Sequence, residues 1–206
     1  MISFRHATVL ACTGTDPVYD ATVIVEGAVI KDVLTSTRSA AGAAGELVDC
    51  GGRTVMPGLI DAHVHVCAVE VDIAAQRRDY PASLLAYAAG KMISQTLDQG
   101  FTTIRDAGGA DWGMKEAVGR GLIPGPRMFV SGHPLSQSGG HGDSRTRAED
   151  YAGCGCGAEI GMVPSIADGV EEVRRAVRTQ LRRGADAIKV MAGGGVASPT
   201  DQLESA

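Results

Sequence analysis

Residues 59–66 read Leu-Ile-Asp-Ala-His-Val-His-Val, and this stretch decides the fold that we predict. It is apolar and β-branched and follows Pro57 and Gly58, a pattern typical of a buried strand after a turn. Residues i and i+2 of a strand share a face, so the imidazoles of His63 and His65 should project side by side. Two such neutral imidazoles can bind a divalent metal such as zinc, although histidines satisfied by neighbouring polar groups would show the same spacing.

The composition is that of a globular protein with a substantial core. The 206 residues are 44% hydrophobic and carry a net charge of -5. No basic stripe is present, so we expect neither nucleic acid nor a membrane as a partner; the arginines between 174 and 183 alternate with apolar residues, as on a solvated helix face. No run approaches the ~18 apolar residues that span a bilayer, and residues 1–30 lack a secretory signal, so we expect a cytoplasmic location.

The sequence pattern changes near residue 55. Residues 1–55 predict a small β region, with strands at 7–10, 21–25, 28–33 and 47–50 and a loop at 36–45. Residues 56–206 predict four strand–helix units, with strands at 55–66, 102–106, 127–132 and 187–191, helices beginning near Pro81, Asp111 and Asp168, and a long loop at 134–166. Such units predict an α/β fold with a parallel sheet, either open or the first half of a (β/α)8 barrel.

The chemistry should lie at the carboxyl ends of these strands, where such folds place their active sites. Lys189 is the most unusual residue there, because its strand is otherwise apolar. A buried ammonium is costly without a partner, so we expect either an ion pair with Asp106 or Asp186, or carboxylation of the amine by carbon dioxide.

Four motifs together resemble the amidohydrolase superfamily. They are Pro-Gly-Leu-Ile-Asp-Ala-His-Val-His at 57–65, Gly-Phe-Thr-Thr-Ile-Arg-Asp at 100–106, Ser-Gly-Gly-His-Gly-Asp at 138–143 and Ile-Lys-Val-Met at 188–191. They are most similar to the branch of imidazolonepropionase-related amidohydrolases and metal-dependent prolidases. The resemblance implies the N-terminal half of a (β/α)8 TIM-type barrel at 56–206, preceded by part of a small β-sandwich domain at 1–55.

The resemblance also implies a binuclear metal site. His63 and His65 would bind the more buried of two zinc ions, and Lys189, carboxylated by carbon dioxide to a carbamate, would bridge both. A metal-activated water would hydrolyse an amide or peptide-type C–N bond of a small-molecule amide or dipeptide. His141 would be the catalytic and substrate-binding residue that stabilises the tetrahedral oxyanion, although a histidine on a glycine-rich loop has a structural explanation as well.

Two aspartates near these motifs have structural alternatives. Asp143 fits a turn-stabilising role as well as a functional one. We expect Asp106 to orient the backbone or a neighbouring loop rather than to contact substrate. Cys154 and Cys156 are separated by one residue and have no second pair, so we favour a loop without a cofactor over a metal or redox site.

The family pattern continues beyond Lys189 with two histidines and an aspartate on later strands. His6 and His133 precede Lys189 and cannot be these ligands, and the chain ends at Ala206. We therefore hypothesise a partial chain that is inactive alone and whose complete form is a homo-oligomer. The alternative is a non-catalytic metal-binding or interaction fragment that needs a second chain or half to complete the barrel.

Overall fold

The computed structural model describes residues 1–35, 45–148 and 160–194. Within them the chain divides into two compact units, Met1–Gly58 and Leu59–Ala206, which are described separately. The loop predicted at 36–45 lies, except for Gly45, outside the described residues, as do Cys154 and Cys156. No helix in the described ranges has both the length and the apolar content needed to cross a membrane.

The first unit is a five-stranded sheet. Its strands are β1 (Ile2–Val9), β2 (Val18–Glu26), β3 (Val29–Leu34), β4 (Glu46–Asp49) and β5 (Thr54–Val55). The order is β3-β2-β1-β4, with β5 also paired to β1; β1 and β2 are antiparallel, whereas β4 and β5 run parallel to β1. Alternate residues of β1 and β2 face one side, and the buried side chains form a small core of Ala7, Val9, Ala21, Val23 and Cys50. The predicted β character of this region is confirmed.

The second unit is mixed α/β. Its elements are β6 (Leu59–Val64), α1 (Ile73–Asp79), α2 (Ala82–Asp98), β7 (Phe101–Asp106), α3 (Trp112–Gly119), β8 (Arg127–Val130), β9 (Leu135–Ser136), β10 (Ser165–Ile166) and α4 (Gly169–Arg182). Strands β6, β7 and β8 form a parallel sheet in that order. The parallel strands predicted at 55–66, 102–106 and 127–132 are therefore present, with observed bounds of 59–64, 101–106 and 127–130.

Helix α2 forms because its apolar residues recur at helical spacing. Ala89 and Ile93 are fully buried and pack in one cluster with Ile104 of β7 and Met128 of β8. The chain leaves the helix through Gly100, whose φ of +92° suits glycine. This packing fixes the helix against the sheet and so fixes the ends of β6 and β7 relative to each other.

Helix α3 begins where the sequence predicts. The carboxylate of Asp111 accepts a hydrogen bond from the backbone N–H of Met114 at 3.0 Å, the usual N-terminal cap. Helix α4 likewise begins directly after Asp168, as predicted, but the Asp168 carboxylate does not cap it. That carboxylate instead accepts hydrogen bonds from the backbone N–H of Ser138 at 3.0 Å and from the Ser138 hydroxyl at 2.5 Å.

The fourth predicted strand, at 187–191, is not a regular strand. The segment makes one parallel bridge, between Val190 and Leu135, with hydrogen bonds of 2.8 Å from Leu135 N–H to the Lys189 carbonyl and from Met191 N–H to the Leu135 carbonyl. Its partner β9 is only two residues long, because Pro134 lacks an N–H and the chain turns again at Gln137. The predicted loop at 134–166 also needs correction, since it contains β9 and β10, which pair in parallel.

Replacing Ile93 by alanine tests the packing of α2 on the sheet. The fully buried side chain leaves a cavity, so the free energy of unfolding should fall by about 2–5 kcal/mol in denaturant titration. Leu84→Ala, on the same helix but 48% exposed, is the control and should cost less than about 1 kcal/mol. Equal losses in both variants would contradict the assigned core face.

Candidate metal centre at the strand ends

The two histidines lie side by side at the end of β6, as their spacing predicts. Their ring centroids are 5.3 Å apart and the ring planes meet at 71°. His63 is exposed, and its backbone N–H donates to the Asp61 carboxylate at 3.0 Å; His65 is half-buried. Both rings are therefore open to a shared ligand at the edge of the sheet.

A hydrogen bond fixes the proton of the His65 ring. Its Nδ1 lies 2.9 Å from the carbonyl oxygen of Gly108, in the loop after β7. A carbonyl can only accept, so Nδ1 must carry the hydrogen and, in the neutral ring, Nε2 carries the free lone pair. Histidines that bind metals are commonly held in this way, with one ring nitrogen donating and the other available to the ion.

The charge of Lys189 acts on His63. The pKa of His63 lies below its ordinary value, first because the positive charge of Lys189 disfavours a second cation and next because the ring is partly desolvated. This lowering favours the neutral form of His63, the form that can bind a metal. Lys189, half-buried on the 186–191 segment, is therefore within electrostatic reach of His63.

The predicted ion pair of Lys189 with Asp106 or Asp186 is wrong. The Asp186 carboxylate accepts hydrogen bonds from Lys115 Nζ at 2.5 Å and from the Val130 N–H at 2.9 Å. Asp106 is occupied by backbone groups. In the described ranges Lys189 has no carboxylate partner, and its charge acts on His63.

Asp106 orients backbone, as predicted. It is fully buried at the end of β7, and its carboxylate accepts hydrogen bonds from the N–H groups of Val66 at 2.8 Å, Gly108 at 2.9 Å and Ala110 at 3.1 Å. Burial raises the pKa of Asp106 above its ordinary value, against the lowering effect of these hydrogen bonds. The carboxylate thus joins the end of β6 to the loop after β7.

The loop that carries His141 packs closely against its surroundings. The N–H of Gly142 donates to the Ser136 hydroxyl at 3.0 Å. A Cβ at Gly142 would lie 2.8 Å from the Cβ atoms of Pro164 and Ser136 and 2.9 Å from the sulfur of Met191, so only glycine fits there without a shift. His141 is therefore held on a loop that packs against the segment carrying Lys189.

Asp143 has the turn-stabilising role that was one of its two interpretations. Its carboxylate accepts hydrogen bonds from the Gly139 N–H at 2.9 Å and from the backbone N–H of Arg145 at 3.3 Å. The Arg145 guanidinium pairs with both carboxylate oxygens and lowers the pKa of Asp143 to about 2. Asp143 therefore shapes the His141 loop from within.

Gln76, which was not among the residues predicted from the sequence, fixes the loop after β6. This residue of α1 is 1% exposed; its side-chain oxygen accepts from the N–H groups of Val69 and Glu70 at 3.0 Å, and its amide nitrogen donates to the Cys67 carbonyl at 2.8 Å. The sequence signal that could have predicted α1, the helix that carries Gln76, is Asp72, which caps the helix and precedes a run of good helix formers.

The donor set fits half of a metal site. Among residues 1–35, 45–148 and 160–194, no three histidine, cysteine, aspartate or glutamate side chains gather around one point. The described part therefore offers the imidazoles of His63 and His65. Lys189 can join them as a ligand only after its ammonium loses a proton, because the ammonium has no lone pair.

Asp143→Asn tests the charge pairing in the His141 loop. A carboxyl whose pKa falls from 3.8 to about 2 on folding stabilises the native state above about pH 4, and this stabilisation, about 2 kcal/mol, is lost as the pH falls toward 2. In urea titrations, wild type should therefore lose more stability than Asp143→Asn between pH 5 and pH 2. Asp98→Asn, at an exposed position, should follow wild type, and equal pH slopes in all three proteins would refute the pairing.

Comparison with known proteins identifies the family to which this chain is similar. Residues 54–202 match the Amidohydrolase family. Ochratoxinase from Aspergillus niger is 41% identical over 160 residues, which cover 71% of this chain and 32% of ochratoxinase.

Solved structures of the same kind of protein are also similar to this chain. A crystal structure of an amidohydrolase has a TM-score of 0.89 at 44% identity and covers 98% of this chain and 49% of its own. A crystal structure of a prolidase complexed with N-methylphosphonate-L-proline has a TM-score of 0.91 at 40% identity, over 99% of this chain and 49% of the prolidase. This chain thus spans about a third of ochratoxinase and about half of the two solved proteins. The match over most of its length confirms the predicted resemblance, and the chain belongs to the amidohydrolase family.

Proposed function

We propose that this chain supplies the first metal ligands of a metal-dependent hydrolase that cleaves an amide or peptide-type C–N bond. The observation that carries the proposal is the pair of imidazoles side by side at the end of β6, with the Nδ1 of His65 held by the Gly108 carbonyl so that Nε2 is the nitrogen left for a ligand. Family membership supports hydrolysis as the reaction class.

The proposed ligands are His63, His65 and Lys189. The two imidazoles would hold one ion through neutral nitrogens. The Lys189 amine would attack carbon dioxide and release one proton to solvent, which gives an anionic carbamate with two oxygen donors. When bound, a pair of divalent ions such as zinc would supply a nucleophilic water at neutral pH and polarise the scissile carbonyl.

His141 is the proposed contact to the substrate carbonyl. A donor that stabilises a developing oxyanion must be held in place before the reaction. The packing of Gly142 between Ser136, Pro164 and Met191 provides this rigidity, and so does the Asp143–Arg145 pairing within the same loop. We assign His141 a catalytic and substrate-binding role on this basis.

The proposed substrate is a small amide or dipeptide. Two similar proteins, an ochratoxinase and a prolidase complexed with N-methylphosphonate-L-proline, support this class. The parallel β6-β7-β8 sheet with α2 packed on it further supports the proposal that the second unit is the first part of a (β/α)8 barrel. The remaining ligands would then come from elsewhere in the complete barrel.

Metal content tests the ligand assignment. After the 206-residue chain is incubated with zinc and dialysed, His63→Ala should bind zinc at least about tenfold more weakly than wild type, by elemental analysis and calorimetry. Lys189→Ala should also bind less zinc, and added short carboxylic acids should restore part of it. His6→Ala, in the first unit, is the control and should keep wild-type zinc. Unchanged zinc in His63→Ala would refute the assignment.

A hydrolysis assay tests whether this chain alone carries a complete catalytic site. The zinc-loaded chain should be assayed on a dipeptide with C-terminal proline and on an N-acyl amino acid. Because no third His, Cys, Asp or Glu joins the histidine pair in the described ranges, we expect zinc binding without turnover from this chain alone. Turnover that disappears in His63→Ala would show a complete site, whereas absence of both zinc and turnover would overturn the proposal.

A further inference from the structure

We infer that Asp106 is a positioning residue that sets the ring tautomer of His65 by acting through the backbone of Gly108. The consequence for metal binding rests on the function proposed above. The positioning itself concerns only residues of this chain and can be measured without a metal.

The Asp106 carboxylate holds both sides of the His65–Gly108 hydrogen bond. One oxygen accepts from the N–H of Val66, the residue directly after His65, at 2.8 Å. The other accepts from the N–H of Gly108 itself at 2.9 Å and from Ala110 at 3.1 Å. A single buried group thus fixes the backbone that carries the imidazole and the peptide that receives its proton.

The conformation of Gly108 suits glycine and is held by hydrogen bonds on both sides. Its φ is +143°, and a Cβ there would lie 3.2 Å and 3.3 Å from ring carbons of Pro134. On either side of Gly108, the N–H of Ala107 donates to the Val64 carbonyl at 2.9 Å and the N–H of Gly109 donates to the Gly132 carbonyl at 3.0 Å. With its N–H directed at Asp106, the Gly108 residue presents its carbonyl to His65.

The tautomer follows from this geometry. The Gly108 carbonyl accepts the Nδ1–H of His65 and thereby leaves Nε2 without a hydrogen in the neutral ring. Without the carboxylate, three buried N–H groups lose their hydrogen-bond acceptor. The loop is then no longer held with the Gly108 carbonyl against the His65 imidazole. The proton is then free to move to Nε2, the nitrogen proposed to bind metal.

Nuclear magnetic resonance can read the tautomer directly. Long-range ¹H–¹⁵N correlation spectra of the metal-free 206-residue chain, labelled with ¹⁵N-histidine and recorded where the imidazoles are neutral, distinguish Nδ1–H from Nε2–H. His65→Gln assigns the signal. In wild type, His65 should show the Nδ1–H pattern.

Asp106→Asn should shift His65 toward the Nε2–H pattern, because an amide keeps the shape but turns an NH₂ group toward a backbone donor. Zinc affinity should fall roughly 10–100-fold, the usual effect of losing a group that orients a metal ligand. Gly108→Ala should shift the same signal while the carboxylate stays intact. Asp111→Asn is the matched control: it makes the same substitution at the carboxylate that caps α3, which accepts from Met114 and not from Gly108, and it should keep the wild-type tautomer.

An Nε2–H pattern in wild type would overturn the inference, as would an Nδ1–H pattern retained by Asp106→Asn that circular dichroism shows to be folded. If Asp106→Asn does not fold, Gly108→Ala decides, and an unchanged tautomer there is also contradictory. If Asp106→Asn shifts the tautomer but the wild-type chain binds no zinc, the proposed function is refuted and the positioning role stands. If the wild-type chain binds zinc but Asp106→Asn keeps the wild-type tautomer, the positioning role is refuted and the proposed function stands.

Discussion

The buried carboxylate of Asp106 is the interaction on which the strand-end geometry depends. Asp106 is the partner of Val64 in the pairing of β6 with β7. Its carboxylate accepts a hydrogen bond from the N–H of Val66, just beyond the end of β6. A fully buried carboxylate is tolerated only when its oxygens are satisfied, and here three backbone donors satisfy them. The buried carboxylate is therefore stable only with these backbone donors, and the buried N–H groups in turn need the carboxylate as their acceptor.

The two histidines experience different influences. The ring of His65 makes a directional hydrogen bond to the Gly108 carbonyl, whereas the positive charge of Lys189 lowers the pKa of His63. That charge favours a neutral imidazole, but it would also repel a metal ion. Conversion of Lys189 to a carbamate would turn the repulsion into attraction, which is the electrostatic reason that the proposal requires a modified lysine.

Much of this arrangement follows from local sequence. The i, i+2 spacing places His63 and His65 together, and the helical spacing of Ala89 and Ile93 places α2 on the sheet, because strand and helix geometry depend on a few neighbouring residues.

What the sequence could not predict depends on distant partners. The 187–191 segment has the composition of a strand, yet it makes a single bridge because its neighbour β9 is short. Lys115 pairs with Asp186, 71 positions away in the sequence, and no local pattern indicates that Lys189 then has no carboxylate partner among the residues that the structure describes. The Gln76 side chain that fixes the loop after β6 is likewise visible only once α1 is in place.

The central claim is that His63 and His65 bind one metal ion through their free ring nitrogens. X-ray absorption at the zinc edge of the zinc-loaded chain tests it most directly. The account predicts two imidazole nitrogens at about 2.0–2.1 Å, with light oxygen donors completing the shell. A shell dominated by sulfur at about 2.3 Å, or one without imidazole scattering, would contradict it.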